Sequence, residues 1–139
     1  MANTVTLSKL DKDLWKVFSE FIRLRDADEN GYVRCITCGF SYHWRGVDAG
    51  HYWPQGSCKF LKFCEENVAG QCKRCNKWGQ GEQVKFREAL VKKYGEEKVQ
   101  WLDDSRNFKG GFTREGYVIR IREYKEKVRK LKREKNVME

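Results

Sequence analysis

Apolar residues recur at three- and four-residue steps near the start of the chain, as they do along one face of an α-helix. The residues that set this pattern are Leu10, Leu14, Val17, Phe18, Phe21 and Ile22. Ser8 and Asp11 have the Ser-x-x-acid spacing of a helix start, and residues 28–31 are turn formers. The pattern predicts an amphipathic helix over about residues 9–26, whose apolar face we interpret as packing surface.

The next part of the chain alternates short β-prone runs with turn residues. Residues 32–34 predict a short strand that leads into a cysteine pair. Residues 40–52 are aromatic and β-prone around a central glycine, and they predict two short strands or a hairpin that ends near His51. Residues 53–66 are expected to form a loop, and a helix is expected to begin around a second cysteine pair at residue 72.

Three further helices are predicted, over about residues 82–94, 96–106 and 114–135. The last of them carries an a/d heptad stripe formed by Tyr117, Ile121, Tyr124, Val128 and Leu131. About two heptads are too few for a stable isolated coiled coil. We therefore expect the stripe to dock on the rest of the chain or on a second copy.

Length and composition limit the architecture. The 139 residues carry a net charge of +9 and fit one small domain with extensions, which excludes a large multidomain enzyme. We divide the chain into an N-terminal helix (1–30), a core (31–106) and a basic helical tail (107–139). No apolar run approaches the ~18 residues of a membrane span, and the N-terminus lacks the pattern of a secretion signal. We expect no membrane association and a cytoplasmic location.

The positive charge is concentrated at the end of the chain. The last 26 residues hold ten Lys and Arg against five Asp and Glu, which accounts for +5 of the +9. Such an excess is typical of proteins that bind a polyanion, either nucleic acid or an acidic membrane surface. A solvated helix face has the same composition, so the charge alone does not decide between these interpretations.

Two Cys-x-x-Cys pairs carry the most specific chemistry. Cys35 and Cys38 form the first pair and Cys72 and Cys75 the second, with 33 residues between the pairs. In a reducing compartment, cysteines at this spacing indicate metal ligands rather than disulfides. Four thiolates fill the tetrahedral shell of Zn²⁺, so we predict a structural zinc site that joins two distant segments and leaves no open position for a substrate.

A histidine and two asparagines are interleaved with the cysteine pairs. The order of cysteine pair, His51, Asn67, cysteine pair and Asn76 resembles the zinc-knuckle form of the HNH family of ββα-metal nucleases. With the runs FIRLRDAD, CITCG, DAGHY and QCKRCN, residues 10–95 resemble the phage recombination proteins of the NinG/Rap family. The resemblance implies an α+β fold, with a small ββα-metal (HNH-like) core stapled by a four-cysteine zinc site and flanked by helices. It also implies a structure-specific endonuclease that acts on branched DNA.

The chemistry of phosphodiester hydrolysis gives His51 a role that does not depend on this resemblance. The attacking water must lose a proton, and a neutral imidazole accepts one near pH 7. A hard cation such as Mg²⁺ or Mn²⁺ would stabilise charge on the phosphate and the leaving oxygen, and Asp48 and Asn76 offer the oxygen ligands that it prefers. The alternative for His51 is a hydrogen-bonded structural residue of a small zinc domain.

The resemblance assigns the remaining site residues. It makes Asn76 the metal ligand on the helix and Asn67 the residue that pins the loop through backbone hydrogen bonds, although asparagine is also common in turns and caps. In many HNH enzymes the metal-binding Asp immediately precedes the histidine. Here Gly50 occupies that place and Asp48 stands three residues before His51, so a bulge or turn is needed to bring Asp48 in.

Basic and aromatic side chains are candidate DNA contacts. Those expected to touch phosphates flank Asn76 or lie in the basic tail: Lys73, Arg74, Lys77, Arg120, Arg122, Lys125, Arg129 and Lys132. Tyr52 and Trp53 would either stack on unpaired bases at a branch or cover the small core, and the sequence favours neither.

These observations predict a zinc-stapled, metal-dependent endonuclease that cleaves branched DNA such as junctions, flaps and D-loops, with His51 as the general base. One alternative is a non-catalytic zinc-finger DNA-binding protein that assists recombination. Another is a sequence-specific HNH endonuclease. Because a four-way junction has approximate two-fold symmetry and needs two cuts, a homodimer is a further hypothesis.

Overall fold

The helix predicted at the start of the chain forms as α1, Leu7–Arg25, and buries the predicted apolar stripe. The computed structural model describes residues 5–137. Residues 1–4 of the predicted N-terminal segment and residues 138–139 of the predicted tail lie outside the described residues. The helix cap is Thr6, and the prediction of Ser8 was wrong. Thr6 Oγ1 accepts a hydrogen bond from the backbone N–H of Lys9 at 3.1 Å, which satisfies one of the free donors of the first turn.

Four short strands form two separate antiparallel pairs. Strands β1 (Tyr32–Arg34) and β2 (Ser41–His43) make a hairpin, while β3 (Val47–His51) pairs with β4 (Val68–Cys72). The two strands predicted within residues 40–52 therefore form but do not pair with each other. Strand β4 was not predicted because all five of its residues are buried, which leaves no polar–apolar alternation to recognise.

The predicted C-terminal helices are confirmed with small shifts of their ends. A short π-helical turn, Arg74–Trp78, follows β4 where a helix was expected. Helices α2 (Gln83–Tyr94), α3 (Glu96–Ser105) and α4 (Arg114–Glu134) complete the described chain. The fold is thus α+β, with small antiparallel sheets flanked by helices at both ends of the chain.

Helix α4 uses its heptad stripe within the chain, against α1. Tyr124 and Val128 are buried in the same hydrophobic cluster as Phe18 of α1. The Phe18 and Tyr124 rings meet edge to face, with their centroids 5.0 Å apart at 83°, a favoured aromatic geometry. Just beyond α4, Lys135 Nζ donates to the backbone carbonyls of Leu24 and Arg25 at 2.8 and 2.9 Å. A cation therefore caps the negative end of α1.

Helices α2 and α3 enclose a second cluster with the loop that follows β3. Phe86 and Leu102 are fully buried there, and Tyr52 is 4% exposed. The Tyr52 hydroxyl donates to Asp103 Oδ1 at 2.6 Å, and Trp53 Nε1 donates to the same oxygen at 3.0 Å. Of the two interpretations of these loop aromatics, the structure favours packing over an exposed stacking surface. No helix within residues 5–137 combines the length and apolar character required to cross a membrane.

Candidate functional site

The four cysteines of the two pairs converge on one point. Cys35 and Cys38 lie in the turn of the β1–β2 hairpin, while Cys72 ends β4 and Cys75 lies in the π-helical turn. Their four sulfur atoms all lie within 4.8 Å of one another. The Cys38 and Cys72 sulfurs are 3.8 Å apart, which is about the edge of a tetrahedron with Zn–S bonds of about 2.3 Å. The cluster could hold a metal ion such as zinc.

The surroundings of the sulfurs suit anionic ligands. Cys35 Sγ accepts hydrogen bonds from the backbone N–H groups of Cys38 and Cys72, at 3.5 and 3.3 Å. Burial raises the pKa of the Cys35 thiol, but these donors outweigh it and lower the pKa to about 6. Burial raises the pKa of Cys75 to about 12, and the neighbouring sulfurs add to this because they leave little room for another negative charge. A bound cation would remove that repulsion, so the donor set fits Zn²⁺.

His51 ends β3 and lies against α1. Its ring stacks on that of Trp15, with centroids 5.0 Å apart at 28°. Nε2 lies 3.0 Å from the carbonyl oxygen of Lys62, and since a carbonyl can only accept, Nε2 carries the proton and Nδ1 the lone pair. Among residues 5–137, His51 Nδ1 has no hydrogen-bond partner. The one buried side-chain nitrogen or oxygen without a partner in this range is Gln71 Oε1. His51 Nδ1 is therefore not fully buried, and solvent reaches it.

Burial also sets the charge of His51. It lowers the pKa of the imidazole to about 4, and the nearby Lys62 ammonium adds to this effect, while the bond to the Lys62 carbonyl opposes it. His51 is therefore neutral at pH 7. Its ring lines an open cleft of about 430 Å³ together with Asn76 and Gly81. We call this space the cleft.

Asp48 and Asn76 are brought together beside this cleft. Asn76 Nδ2 donates to Asp48 Oδ2 at 2.9 Å, and Lys73 Nζ donates to Asp48 Oδ1 at 2.7 Å. Partial burial raises the pKa of Asp48, but these bonds hold it below its ordinary value, so the carboxylate is ionised. Asn76 also lines the cleft with His51, whereas Asp48 is not among the cleft-lining residues.

The chemistry of this pair suits a hard cation with few protein ligands. Asp48 supplies a carboxylate and Asn76 an amide oxygen, and Mg²⁺ is commonly held by one or two carboxylates with water and substrate phosphates. Within the described part of the chain, the four cysteines are the only group of three or more His, Cys, Asp or Glu side chains close enough to share a metal. A second ion would therefore depend on Asn76 and on the substrate for its remaining ligands.

Asn67 is fully buried between the loop and β4. Its Oδ1 accepts from the backbone N–H of Trp53 at 2.9 Å, and its Nδ2 donates to the carbonyls of Trp53 and Leu61 at 3.0 and 3.1 Å. The side chain thus ties both ends of the loop after β3 to the start of β4. It fixes the segment that carries Lys62, the partner of His51.

Gln71 of β4 and Gly50 of β3, to which the sequence analysis assigned no role, shape the β3–β4 pair. The Gln71 side chain lies across Gly50, where an added Cβ would overlap Gln71 Oε1. Gln71 Nε2 donates to the Gly81 carbonyl at 2.9 Å, which holds the far wall of the cleft. A glycine within a strand often marks a place where another group approaches the backbone closely, so Gly50 was the sequence clue to this contact.

The run that precedes the first cysteine pair also anchors β4. Arg25 donates to the carbonyls of Glu65 and Val68 at 2.9 and 2.8 Å, and Asp26 Oδ2 accepts from the N–H of Gly70 at 2.8 Å. Burial raises the pKa of Asp26, but the ion pair with Arg25 and the Gly70 bond lower it overall. These two side chains support β4 rather than touching the cleft, since neither lines it.

The basic residues near Asn76 are exposed but not all free. Lys73 pairs with Asp48 at 2.7 Å. The Arg74 guanidinium hydrogen-bonds the Cys38 sulfur, which raises the pKa of Arg74. Lys77 is exposed on the same turn.

The basic residues predicted on α4 fall into two groups. Arg122, Lys125 and Arg129 lie together on the exposed face of the helix. Arg120 instead covers the Phe112 ring at 4.0 Å, and Lys132 pairs with Glu20 at 3.1 Å. Within the described residues, none of the five lines the cleft. Arg129 pairs with Glu126 on the same face. Over residues 5–137, Arg122 and Lys125 form no salt bridge and are left available to a ligand, whereas Arg120, Arg129 and Lys132 have contacts within the chain.

Comparison with known proteins identifies relatives over nearly the whole chain. Residues 2–134 match the family model described as Bacteriophage Lambda NinG protein. Over 123 residues, the chain is 32% identical to Protein ninG of Escherichia phage lambda, an alignment that covers 87% of this chain and 56% of the relative. Protein ninG of Salmonella phage P22 is also 32% identical over 123 residues, with 87% and 57% covered. The chain thus spans little more than half the length of these relatives, and no solved structure matches it significantly.

Proposed function

The chain belongs to the bacteriophage NinG protein family, and we propose that it is a divalent-metal-dependent endonuclease that cleaves phosphodiester bonds in branched DNA. The observation that carries the proposal is the state of His51. The ring is neutral, its Nε2–H is fixed on the Lys62 carbonyl, its Nδ1 lone pair reaches solvent, and His51 lines the same cleft as Asn76. A free lone pair and a fixed orientation suit a general base for water, while the pKa of about 4 makes this imidazole a weaker base than a free histidine.

The elements around His51 support an HNH-like interpretation. Two antiparallel strands, β3 and β4, are followed directly by the turn Arg74–Trp78, which is the order of a ββα-metal core. His51 stands at the end of the first strand and Asn76 in the turn after the second. The four-cysteine cluster lies where the second strand enters that turn, so a bound zinc ion would hold the turn against the β1–β2 hairpin.

In this proposal, His51 Nδ1 takes the proton of a water that attacks the scissile phosphorus. Asp48 and Asn76 would hold Mg²⁺ or Mn²⁺, which supplies charge stabilisation at the phosphate and the leaving oxygen when bound. Asn76 would turn its amide oxygen to the ion and Lys73 would exchange Asp48 for a DNA phosphate. Asn67 keeps the loop with the Lys62 carbonyl in place, and Trp15 restricts rotation of the imidazole.

DNA would be positioned mainly through its phosphates. Lys77, exposed on the turn that carries Asn76, and Arg122 and Lys125 on the exposed face of α4 are available for such contacts. Phosphate contacts of this kind orient the duplex without selecting a sequence.

One observation favours a second candidate, a zinc-containing protein that binds DNA without cutting it. Each carboxylate oxygen of Asp48 already accepts a hydrogen bond, one from Lys73 and one from Asn76, and the Lys73 ammonium compensates the charge that would attract a metal ion. The basic face of α4 would serve binding equally well in that case.

The proposal is tested by incubating the protein with labelled linear duplex, flap and four-way junction DNA. Mg²⁺, Mn²⁺ or no added divalent ion is compared for the natural protein and for the variants His51→Ala and His51→Gln. General acid–base catalysis contributes roughly 10²–10⁴-fold, so we expect both variants to lose at least about 100-fold in cleavage rate while they keep DNA binding.

The matched control is His43→Ala. His43 is the other histidine of the chain, and it lies exposed on β2, where its Nδ1 accepts only from the N–H of Arg45. We expect this variant to cleave as the natural protein does. Tight binding without cleavage in any metal would overturn the nuclease proposal in favour of the binding protein, and equal cutting of linear duplex at one sequence would favour a sequence-specific enzyme.

A homodimer with two cutting sites remains a hypothesis for the symmetric junction. Its interface would have to differ from the heptad stripe of α4, because that stripe is occupied by α1. Light scattering at micromolar concentration, with and without junction DNA, measures the assembly directly.

A further inference from the structure

A second concavity lies between the start of α1, the loop after β3 and the segment that leads into α4. Its volume is about 930 Å³. The aromatic side chains that line it are Phe60, Phe63, Phe108, Phe112 and Tyr117. We call it the aromatic groove.

Two of these rings are open to solvent. Phe60 is 37% exposed and Phe108 is 59% exposed, and their centroids are 4.6 Å apart at 75°. Deeper in the groove, Phe63 and Phe112 lie 5.9 Å apart and nearly parallel at 29°. Exposed apolar grooves of this kind are typical of surfaces that bind a ligand, a membrane or another protein.

Lysines accompany the aromatic rings. Lys12 and Lys59 both line the groove, and within residues 5–137 neither forms a salt bridge. Lys62 and Asp11, also in the lining, neutralise each other by forming an ion pair. The groove therefore combines flat apolar faces with two uncompensated positive charges. Single-stranded nucleic acid requires this combination, since its bases stack on aromatic rings while its phosphates contact cations.

The groove adjoins the cleft. Gln55 and Gly56 line both spaces, so one strand could pass from one to the other without leaving the surface of the loop. A duplex could not use the groove in this way, because its base faces are stacked on one another.

From this juxtaposition we infer that the aromatic groove binds a single-stranded arm of a branched DNA and thereby places the branch at His51. The inference rests on the proposed function for the position of the cut, but binding of the arm does not require cleavage. Selection of flaps and D-loops, which carry a single-stranded arm, over linear duplex would then come from the rings of Phe60 and Phe108 rather than from base-specific contacts.

The test measures equilibrium binding of a fluorescent oligothymidylate and of a matched linear duplex, without added divalent metal, so that no cutting occurs. We expect Phe108→Ala and Phe60→Ala to weaken binding of the single strand by about five-fold or more, the lower end of what base stacking contributes, with little effect on the duplex. Replacing Lys12 and Lys59 together by Gln should lower the slope of log affinity against log salt by about 0.7 for each phosphate that these lysines neutralise.

Phe40→Ala is the matched control, because this phenylalanine is 64% exposed in the β1–β2 hairpin and does not line the groove. It should leave both affinities unchanged. Circular dichroism confirms that each variant is folded. Binding of the oligothymidylate is measured without divalent metal and needs no cutting, so a failure of the nuclease proposal is seen only in the cleavage assay and leaves this inference intact.

Unchanged affinity of Phe108→Ala and Phe60→Ala for the single strand overturns the inference. An equal loss for single strand and duplex overturns it as well, because it would mean a general effect on DNA binding. If the same variants instead convert a dimer to a monomer in light scattering with no change in oligothymidylate affinity, the groove is an interface between copies of the chain.

Discussion

The neutral His51 should make the stability of the protein depend on pH in a way that one substitution removes. The folded protein lowers the pKa of His51 to about 4 from its ordinary value of 6.5, mainly through burial. Because the unfolded chain binds this proton more tightly, the native state keeps its full stability above pH 6.5 and loses part of it as the pH falls towards 4. The whole difference corresponds to about 3 kcal/mol, of which about 2 kcal/mol is lost between pH 7.5 and pH 5.

The assay is urea unfolding of the natural protein and of His51→Gln at these two pH values, with zinc present throughout. Glutamine does not titrate, and its side-chain amide is able to donate to the Lys62 carbonyl as the imidazole does. The free energy of unfolding of the natural protein should fall by about 2 kcal/mol more than that of the variant. Protonation of the cysteines and carboxylates affects both proteins and cancels in the comparison.

Parallel losses in the two proteins, within about 0.5 kcal/mol, would refute the reasoning. They would mean that the imidazole accepts a proton in the native state as readily as in the unfolded chain. In that case burial between Trp15 and the loop around Lys62 would not disfavour the charged imidazole, and the low pKa of His51 on which the prediction depends would be wrong.

Two further predictions concern the frame of the site. The protein should contain one zinc ion per chain by elemental analysis, and Cys72→Ser should lose the ion and unfold. The reason is that binding of structural zinc supplies about 10–16 kcal/mol, whereas the total stability of a domain is typically about 5–15 kcal/mol. A Cys72→Ser variant that is folded without zinc would contradict this prediction. Gly50→Ala should cost about 1–3 kcal/mol in thermal or urea unfolding, since its Cβ would overlap Gln71 Oε1. Gly46→Ala, with no heavy atom within 4 Å of an added Cβ, is its control and should be neutral.

The helices could be predicted because their signals are local. The apolar stripe of α1 and the heptad stripe of α4 each repeat over several turns, so that one misread position changes little. The partner of the α4 stripe could not be predicted, since Tyr124 would have packed as well on a second copy as on Phe18. That choice depends on the path of the chain between residues 26 and 113, including the turns that return α4 to α1.

The strands were predicted less well because pairing is not a local property. Residues 47–51 alternate too weakly to identify their partner, and the partner, β4, is buried on both faces. Its one polar side chain within the strand, Gln71, would be expected at the surface from its residue type but is fully buried. The hydrogen bonds of Gln71 to Thr37 and Gly81 make that burial tolerable, and neither partner is near it in sequence.

The same residue explains why Asp48 stands three positions before His51. Position 50 must be glycine because Gln71 crosses the strand there, so an acidic side chain immediately before the histidine would collide with it. An acid that serves this site therefore has to approach from elsewhere. Asp48 does so at the edge of β3, where Asn76 reaches it at 2.9 Å from the turn after β4. The four cysteines hold the Arg74–Trp78 turn against the β1–β2 hairpin and would then set the distance between Asp48 and Asn76. The cysteine cluster is in this way coupled to the geometry of the proposed cation site.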